Sequence, residues 1–252
     1  MISIDRVSKR YGDQLVLDGV SVDLPAGGVT CLIGPNGAGK STLLSIIARL
    51  LGADAGTVVV GGLDVTTADS RELARTMAVL RQETHLTVRL TVRDLVSFGR
   101  FPHNGGRPTD ADRQAVEEAI AWMDLEDLAE RRLDQMSGGQ RQRAFVAMVL
   151  AQDTPYLLLD EPLNNLDMTH ATAMMRRLRA AADELGRTVV LVLHDVNYAS
   201  CWADSILALR EGRVVAHGGP ETIMDTEVLQ GIYGCSIPVH TVDGRRLAMY
   251  YA

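Results

Sequence analysis

Gly34-Pro35-Asn36-Gly37-Ala38-Gly39-Lys40-Ser41 fits the pattern G-x-x-x-x-G-K-[ST], placed after a β-rich apolar run and before a helical one. Residue types in that order bind phosphate. Glycines let backbone N–H groups curl around phosphate oxygens, and a helix opening at Ser41-Thr42 adds the positive potential of its N-terminus. Lys40 reaches the outer phosphates and the Ser41 hydroxyl can ligate Mg²⁺. Lys9 and Lys40 are the only lysines among 25 basic residues. A chain that otherwise uses arginine keeps lysine where a compact point charge suits better than a planar fork.

Tyr156-Leu157-Leu158-Leu159-Asp160-Glu161 is an apolar run ending in two carboxylates. A buried strand delivers such acids at its C-terminal end, where open parallel sheets bind ligands. Asp160 would hold Mg²⁺ through water, and Glu161 would orient and polarise an attacking water. Ser137-Gly138-Gly139-Gln140 opens a further helical stretch with small residues, a second anion-binding helix start. Two such termini with the chemistry for one nucleotide suggest that the second serves the nucleotide of another copy, in an isologous two-fold dimer. A simply capped helix is the plainer alternative.

The elements that must position these groups follow from periodicity. ISIDRV, VLDGVSVDL, VTCLIG, TVVVGG, MAVLRQ, YLLLDE and TVVLVLH read as strands. Leu43, Leu44, Ile47, Leu50 and Leu51 predict a helix that stops before Gly52. From His85 to Ala151 the pattern is helical, with Thr109 and Asp110 as caps for DADRQAVEEAIAWM, and further helical segments span roughly Pro220 to Tyr233 before a short β-like tail. Alternating strands and helices imply an α/β fold with a mostly parallel sheet. The long helical stretch predicts an inserted helical subdomain at 85–151, with a core formed by 1–84 and 152–252.

Composition bounds the rest. At about 150 residues per domain, 252 residues make one large domain or a domain with an insertion. A net charge of −7 argues against a nucleic-acid partner. The first ten residues lack the apolar core of a secretory signal. The odd, scattered set Cys31, Cys201 and Cys235 suits a reducing compartment, with Cys31 read as a small buried hydrophobe.

Taken together, the chain resembles the ATP-binding subunits of ABC transporters over essentially its whole length. The resemblance implies the P-loop ABC ATPase fold, with an N-terminal antiparallel β portion and the helical insert. It also implies an ATP site built from Gly34, Pro35, Asn36, Gly37, Ala38, Gly39, Lys40, Ser41 and Thr42, with Tyr11 stacked on adenine. Gln82 would touch Mg²⁺ beside Ser41 and Asp160, and would sense a membrane partner. Ser137, Gly138, Gly139 and Gln140 would be the signature acting in trans, with Asp167 ending the D-loop. His194 would be the switch histidine, working with Glu161, Gln82 and Lys40 in hydrolysis. Each has a duller reading: Tyr11 and Gln82 as strand-end residues, His194 as a structural histidine. Two departures stand out, Met136 where the family usually has leucine, and Leu163-Asn164-Asn165-Leu166-Asp167 in place of a small-residue D-loop.

Ser97-Phe98-Gly99-Arg100-Phe101-Pro102-His103, the run from Met136 to Met168, and LHDVNYASCWADSILALREG narrow the resemblance to bacterial iron(III)-siderophore importers of the catecholate type. It implies a homodimer at the cytoplasmic face of the inner membrane, with permease subunits docked at Gln82–Arg89 and Phe98–His103 and a siderophore-binding protein behind them. Vitamin B12 and haem importers are the neighbouring alternatives. A soluble ABC ATPase acting on DNA or ribosomes is disfavoured by the absence of a long coiled coil or second cassette. A subunit without catalysis is disfavoured by the intact Lys40, Ser41, Gln82, Asp160, Glu161 and His194.

Overall fold

The computed structural model describes residues 1–82, 89–164 and 166–250. The chain runs β1 (Ile2–Tyr11), β2 (Gln14–Leu24), β3 (Gly28–Ile33), α1 (Lys40–Ile47), β4 (Ala55–Val60), β5 (Leu63–Asp64), α2 (Ser70–Thr76) and β6 (Met77–Leu80). It continues with α3 (Val92–Phe98), α4 (Phe101–Asn104), α5 (Asp110–Trp122), α6 (Gly138–Ala151), β7 (Tyr156–Asp160) and α7 (Met168–Asp183). It ends with β8 (Thr188–Val192), α8 (Val196–Trp202), β9 (Ser205–Arg210), β10 (Arg213–Gly218), α9 (Pro220–Ile223), α10 (Thr226–Tyr233), β11 (Val239–Val242) and β12 (Arg245–Ala248). These elements pack as two units, Met1–Ala68 with Thr188–Ala252, and Asp69–Arg187.

In the first unit, β1 pairs antiparallel with β2 and β4, so that Ile2 lies opposite both Leu24 and Val60, and all three side chains are buried. β3 runs parallel to β8 on one side, with Leu32 opposite Val192, and parallel to β9 on the other, with Thr30 opposite Ser205. The strands β3 and β8 are apolar and buried along nearly their whole lengths, as parallel strands covered on both faces must be. Cys31 is fully buried there, and its thiol is pushed far above its ordinary value by desolvation, then by Asp204. It behaves as a hydrophobe, as expected. α1 is shorter than its periodicity predicts. Arg49 adopts a left-handed φ of 56°, Ser45 O takes the N–H groups of both Leu50 and Leu51, and Leu50 is left exposed.

In the second unit, β6 and β7 pair in parallel with Met77 opposite Tyr156 and Leu80 opposite Leu159. The helices α3, α5 and α6 bury Val92, Leu95, Ile120, Phe145 and Val146. Thr109 caps α5 as expected, but its capping-box partner is Asp112, three residues on, where a side chain can reach back to the Thr109 backbone N–H. That places the Asp112 carboxylate against the buried Arg100 guanidinium at 3.0 Å, while Arg100 also donates to Ala151 O. The Thr109 backbone N–H, the Thr109 hydroxyl and Arg100 hold the Asp112 carboxyl well below the usual range. The depressed value means that this stabilisation is full above the unfolded-state pKa of about 4 and is lost as pH falls through the folded one.

Replacing Arg100 with methionine keeps bulk but strands a buried carboxylate. It is expected to cost about 3 kcal/mol, measured as a lower urea midpoint with an unchanged slope; an unchanged midpoint would contradict the network's role.

Candidate active site

The phosphate loop is built by β3 delivering the chain to Gly34. Gly34 has φ 139°, and a Cβ there would lie 2.0 Å from Leu209 O, so only glycine lets the loop pass that close to β9. Gly39, at φ 99°, opens α1 without a side-chain cap, as suits a helix start that receives phosphate. Lys40 is 5% exposed, and its Nζ donates to Gly34 O at 2.8 Å and Pro35 O at 3.0 Å. The loop thus folds around its own ammonium, which places the cation inside the curl of N–H groups where phosphate charge would sit.

His194 arrives at the same end of the sheet. The Leu193 N–H donates to Leu32 O, so the chain leaves β8 for His194 alongside the end of β3, the strand that leads into the phosphate loop. His194 is exposed and directly precedes Asp195, the N-cap of α8. Tyr11, at the end of β1, is 52% exposed, with Lys9 Nζ 6.0 Å from its ring centroid; Lys9 in turn pairs with Asp54 at 2.8 Å. An exposed ring with a cation on it can stack on a flat, electron-rich base.

In the second unit, the parallel register brings Gln82 beside Glu161. Gln82 Nε2 donates to Glu161 Oε2 at 2.7 Å. Asp160 and Glu161 are 7% and 8% exposed at the end of β7. Glu161 has φ 50°, a left-handed conformation that residues other than glycine rarely adopt and that tends to occur at functional positions. Asn164 joins them: its side-chain amide bonds Glu161 Oε2, and its backbone N–H donates to Glu161 O at 3.2 Å. The sequence marks Asn164 only as a departure in the D-loop; a polar side chain three residues after the acid, where a turn can fold back, is the signal for this contact.

Ser137 caps α6 in a box with Gln140: the Gln140 N–H donates to Ser137 Oγ at 3.2 Å, and the Ser137 N–H to Gln140 Oε1 at 3.1 Å. The Ser137 hydroxyl accepts there and keeps its proton for donation. Ser137 and Gly138 are exposed. Asp167 caps α7, accepting from the His170 N–H and contacting His170 Nδ1, both at 2.8 Å. The His170 backbone N–H first, then its ring, holds the Asp167 carboxyl below its ordinary value. A Cβ on Gly139 would stand 3.4 Å from both His170 and Leu166, so signature and D-loop are packed together.

Of the expected docking segment, Phe98 and Phe101 are 54% and 62% exposed. Arg71 and Arg75 bond to the Pro102 and His103 carbonyls, and the His103 ring meets Gln152 O, so Phe101 is presented from a pinned turn. Residues 83–88 of that segment, and Asn165 of the D-loop, lie outside the described residues.

The ABC transporter family model matches residues 17–164. Over all 252 residues, and all of the relative, the chain is 49% identical to the petrobactin import ATP-binding protein YclP of Bacillus subtilis. It is 39% identical to the ferric enterobactin transport ATP-binding protein FepC of Escherichia coli, covering 97% of this chain and 92% of that one. The dimeric post-hydrolysis structure of the ATP-binding cassette MJ0796, bound to ADP and Pi, superposes with a TM-score of 0.78 at 29% identity, covering 87% of this chain and 99% of that one.

Proposed function

Because the chain belongs to the ABC transporter family, we propose that it is the ATP-hydrolysing motor subunit of a bacterial importer for iron(III)-siderophores. The observation that carries the reading is full-length likeness to import ATP-binding proteins, in a chain whose phosphate loop folds around Lys40. Two copies bind ATP head to tail. In each, Gly34 to Thr42 holds the phosphates, Tyr11 stacks on adenine, and Ser137 to Gln140 with Asp167 comes from the other copy. The helical insert at 85–151 carries that signature.

The donor set suits Mg²⁺. Ser41 offers a hydroxyl, Asp160 a carboxylate and Gln82 the amide oxygen left after its nitrogen donates to Glu161. All are hard oxygen donors, and a nucleotide-bound Mg²⁺ needs few protein ligands because water and phosphate supply the rest. An ion held by these residues would neutralise charge on the phosphoryl oxygens. The chain's own part is positional: Glu161 accepts the proton of the attacking water, His194 holds the γ-phosphate, and Lys40 with the loop N–H groups stabilises developing negative charge.

Among the described residues no helix is long and apolar enough to cross a membrane. In the proposed assembly the chain sits at the cytoplasmic face of the membrane on permease subunits, which dock on the Phe98–His103 turn and the segment from Gln82. A siderophore-binding protein delivers the solute to them.

Deleting the gene is expected to abolish growth on iron-loaded petrobactin or enterobactin as sole iron source and to spare growth on haem. The wild-type gene restores growth and the Lys40→Ala gene does not. Lost growth on haem, or a vitamin B12 defect, with siderophore growth intact would favour the neighbouring importer classes.

A further inference from the structure

A glutamate carboxylate turns easily about its last bond, since that torsion is broad and only two-fold. A general base must not. We propose that Asn164 is a positioning residue for the hydrolytic reaction, holding the Glu161 carboxylate in one orientation together with Gln82; this rests on the assignment of Glu161 as the base. Two side-chain amides, one from the second residue after β6 and one from the turn after β7, converge on the same oxygen, Oε2. Two donors occupy the lone pairs of that oxygen and fix the carboxylate plane, so the direction of Oε1 is set as well.

The backbone makes this arrangement specific. Glu161 sits in the left-handed region, and the chain turns at once so that the Asn164 N–H reaches Glu161 O. That turn brings the Asn164 side chain back under the carboxylate three residues upstream. A small D-loop residue at position 164 would complete the turn but supply no amide. The structure thus gives the asparagine of this unusual D-loop a task on its own subunit, besides whatever the loop does across the dimer. It also ties Gln82 and the D-loop to one atom, so that displacement of either changes the aim of the base.

The test is steady-state ATP hydrolysis by the isolated full chain. Asn164→Ala, and the isosteric Asn164→Asp, which replaces the donor by a like charge, are each expected to lower kcat about tenfold or more. KM for ATP should stay within about twofold, because uniform binding is untouched. In the Glu161→Gln background, Asn164→Ala is expected to add no further loss of turnover, since the group it orients is gone, and to leave ATP-dependent dimerisation on gel filtration unchanged. Unaltered kcat in the single variants would overturn the proposal. So would a loss confined to KM or to dimerisation, an additive loss in the double variant, or full activity in Asn164→Asp. Full hydrolysis by Glu161→Gln alone would instead remove the base assignment, and the inference with it.

Discussion

Loss of ATP binding is the expected result of replacing Lys40 with alanine. The ammonium is nearly buried within the loop, 2.8 Å from Gly34 O and 3.0 Å from Pro35 O, and it adds a full, fixed positive charge to the partial charges of the loop's backbone N–H groups. Charge-assisted hydrogen bonds to phosphate are about twice as strong as neutral ones, and losing them is expected to weaken ATP affinity about 100-fold or more, since about 1.4 kcal/mol is tenfold. Arginine should not rescue: its planar fork is too broad for a space closed by two carbonyls of the same turn. Calorimetric titration with ATP·Mg²⁺ checks both variants. Wild-type affinity in Lys40→Ala would contradict the loop's role, and wild-type affinity in Lys40→Arg would contradict the fit argument.

Turnover, by contrast, is expected to collapse without loss of binding in Glu161→Gln. Glutamine keeps the length and planarity of the side chain but cannot take a proton from water. General-base catalysis contributes about 10²–10⁴-fold, so kcat should fall by that factor while ATP affinity changes little. With hydrolysis blocked, two copies should remain closed around ATP and elute as a dimer on gel filtration in ATP, and as a monomer without it. Hydrolysis within a few-fold of wild type would remove Glu161 as base; a fall in affinity equal to the fall in kcat would make it a binding residue instead.

Much of this site is legible from residue order. A glycine-rich turn between a β-rich run and a helical run has few uses, and Lys40 is conspicuous in a chain that prefers arginine. The run ending in Asp160-Glu161 reads as a buried strand because it has no polar interruption, and the structure buries all of Tyr156–Asp160. The less legible parts are those where local pattern is ambiguous. The sequence reading assigns no element between His194 and Pro220, yet α8, β9 and β10 lie there. SILALR is a short apolar run that suits a strand or a helix equally. What decides it is Glu211-Gly212, at φ 51° and 77°, a turn with both central residues left-handed that closes a hairpin. α2 is likewise unassigned in sequence, being seven residues with one buried side chain, Leu73, and too short for periodicity to show.

The site's finer structure was hidden for another reason. That Gln82 and Asn164 share one carboxylate oxygen depends on the β6–β7 register and on the backbone conformation of Glu161, and neither is written in residue type. Likewise, spacing alone cannot reveal that Gly139 packs against His170. The capping box of Ser137 and Gln140, however, follows the serine-to-glutamine spacing and could be read from it.

The proposed mechanism requires that ATP held by one subunit be completed by the start of α6 from the other. A crystal structure of the Glu161→Gln chain with ATP and Mg²⁺ would show whether it is. The expected result is a two-fold dimer in which the Ser137 hydroxyl and the Gly139 N–H of each protomer contact the γ-phosphate bound at Lys40 of the partner subunit. An ATP-loaded assembly in which Ser137 and Gly139 face solvent would contradict it.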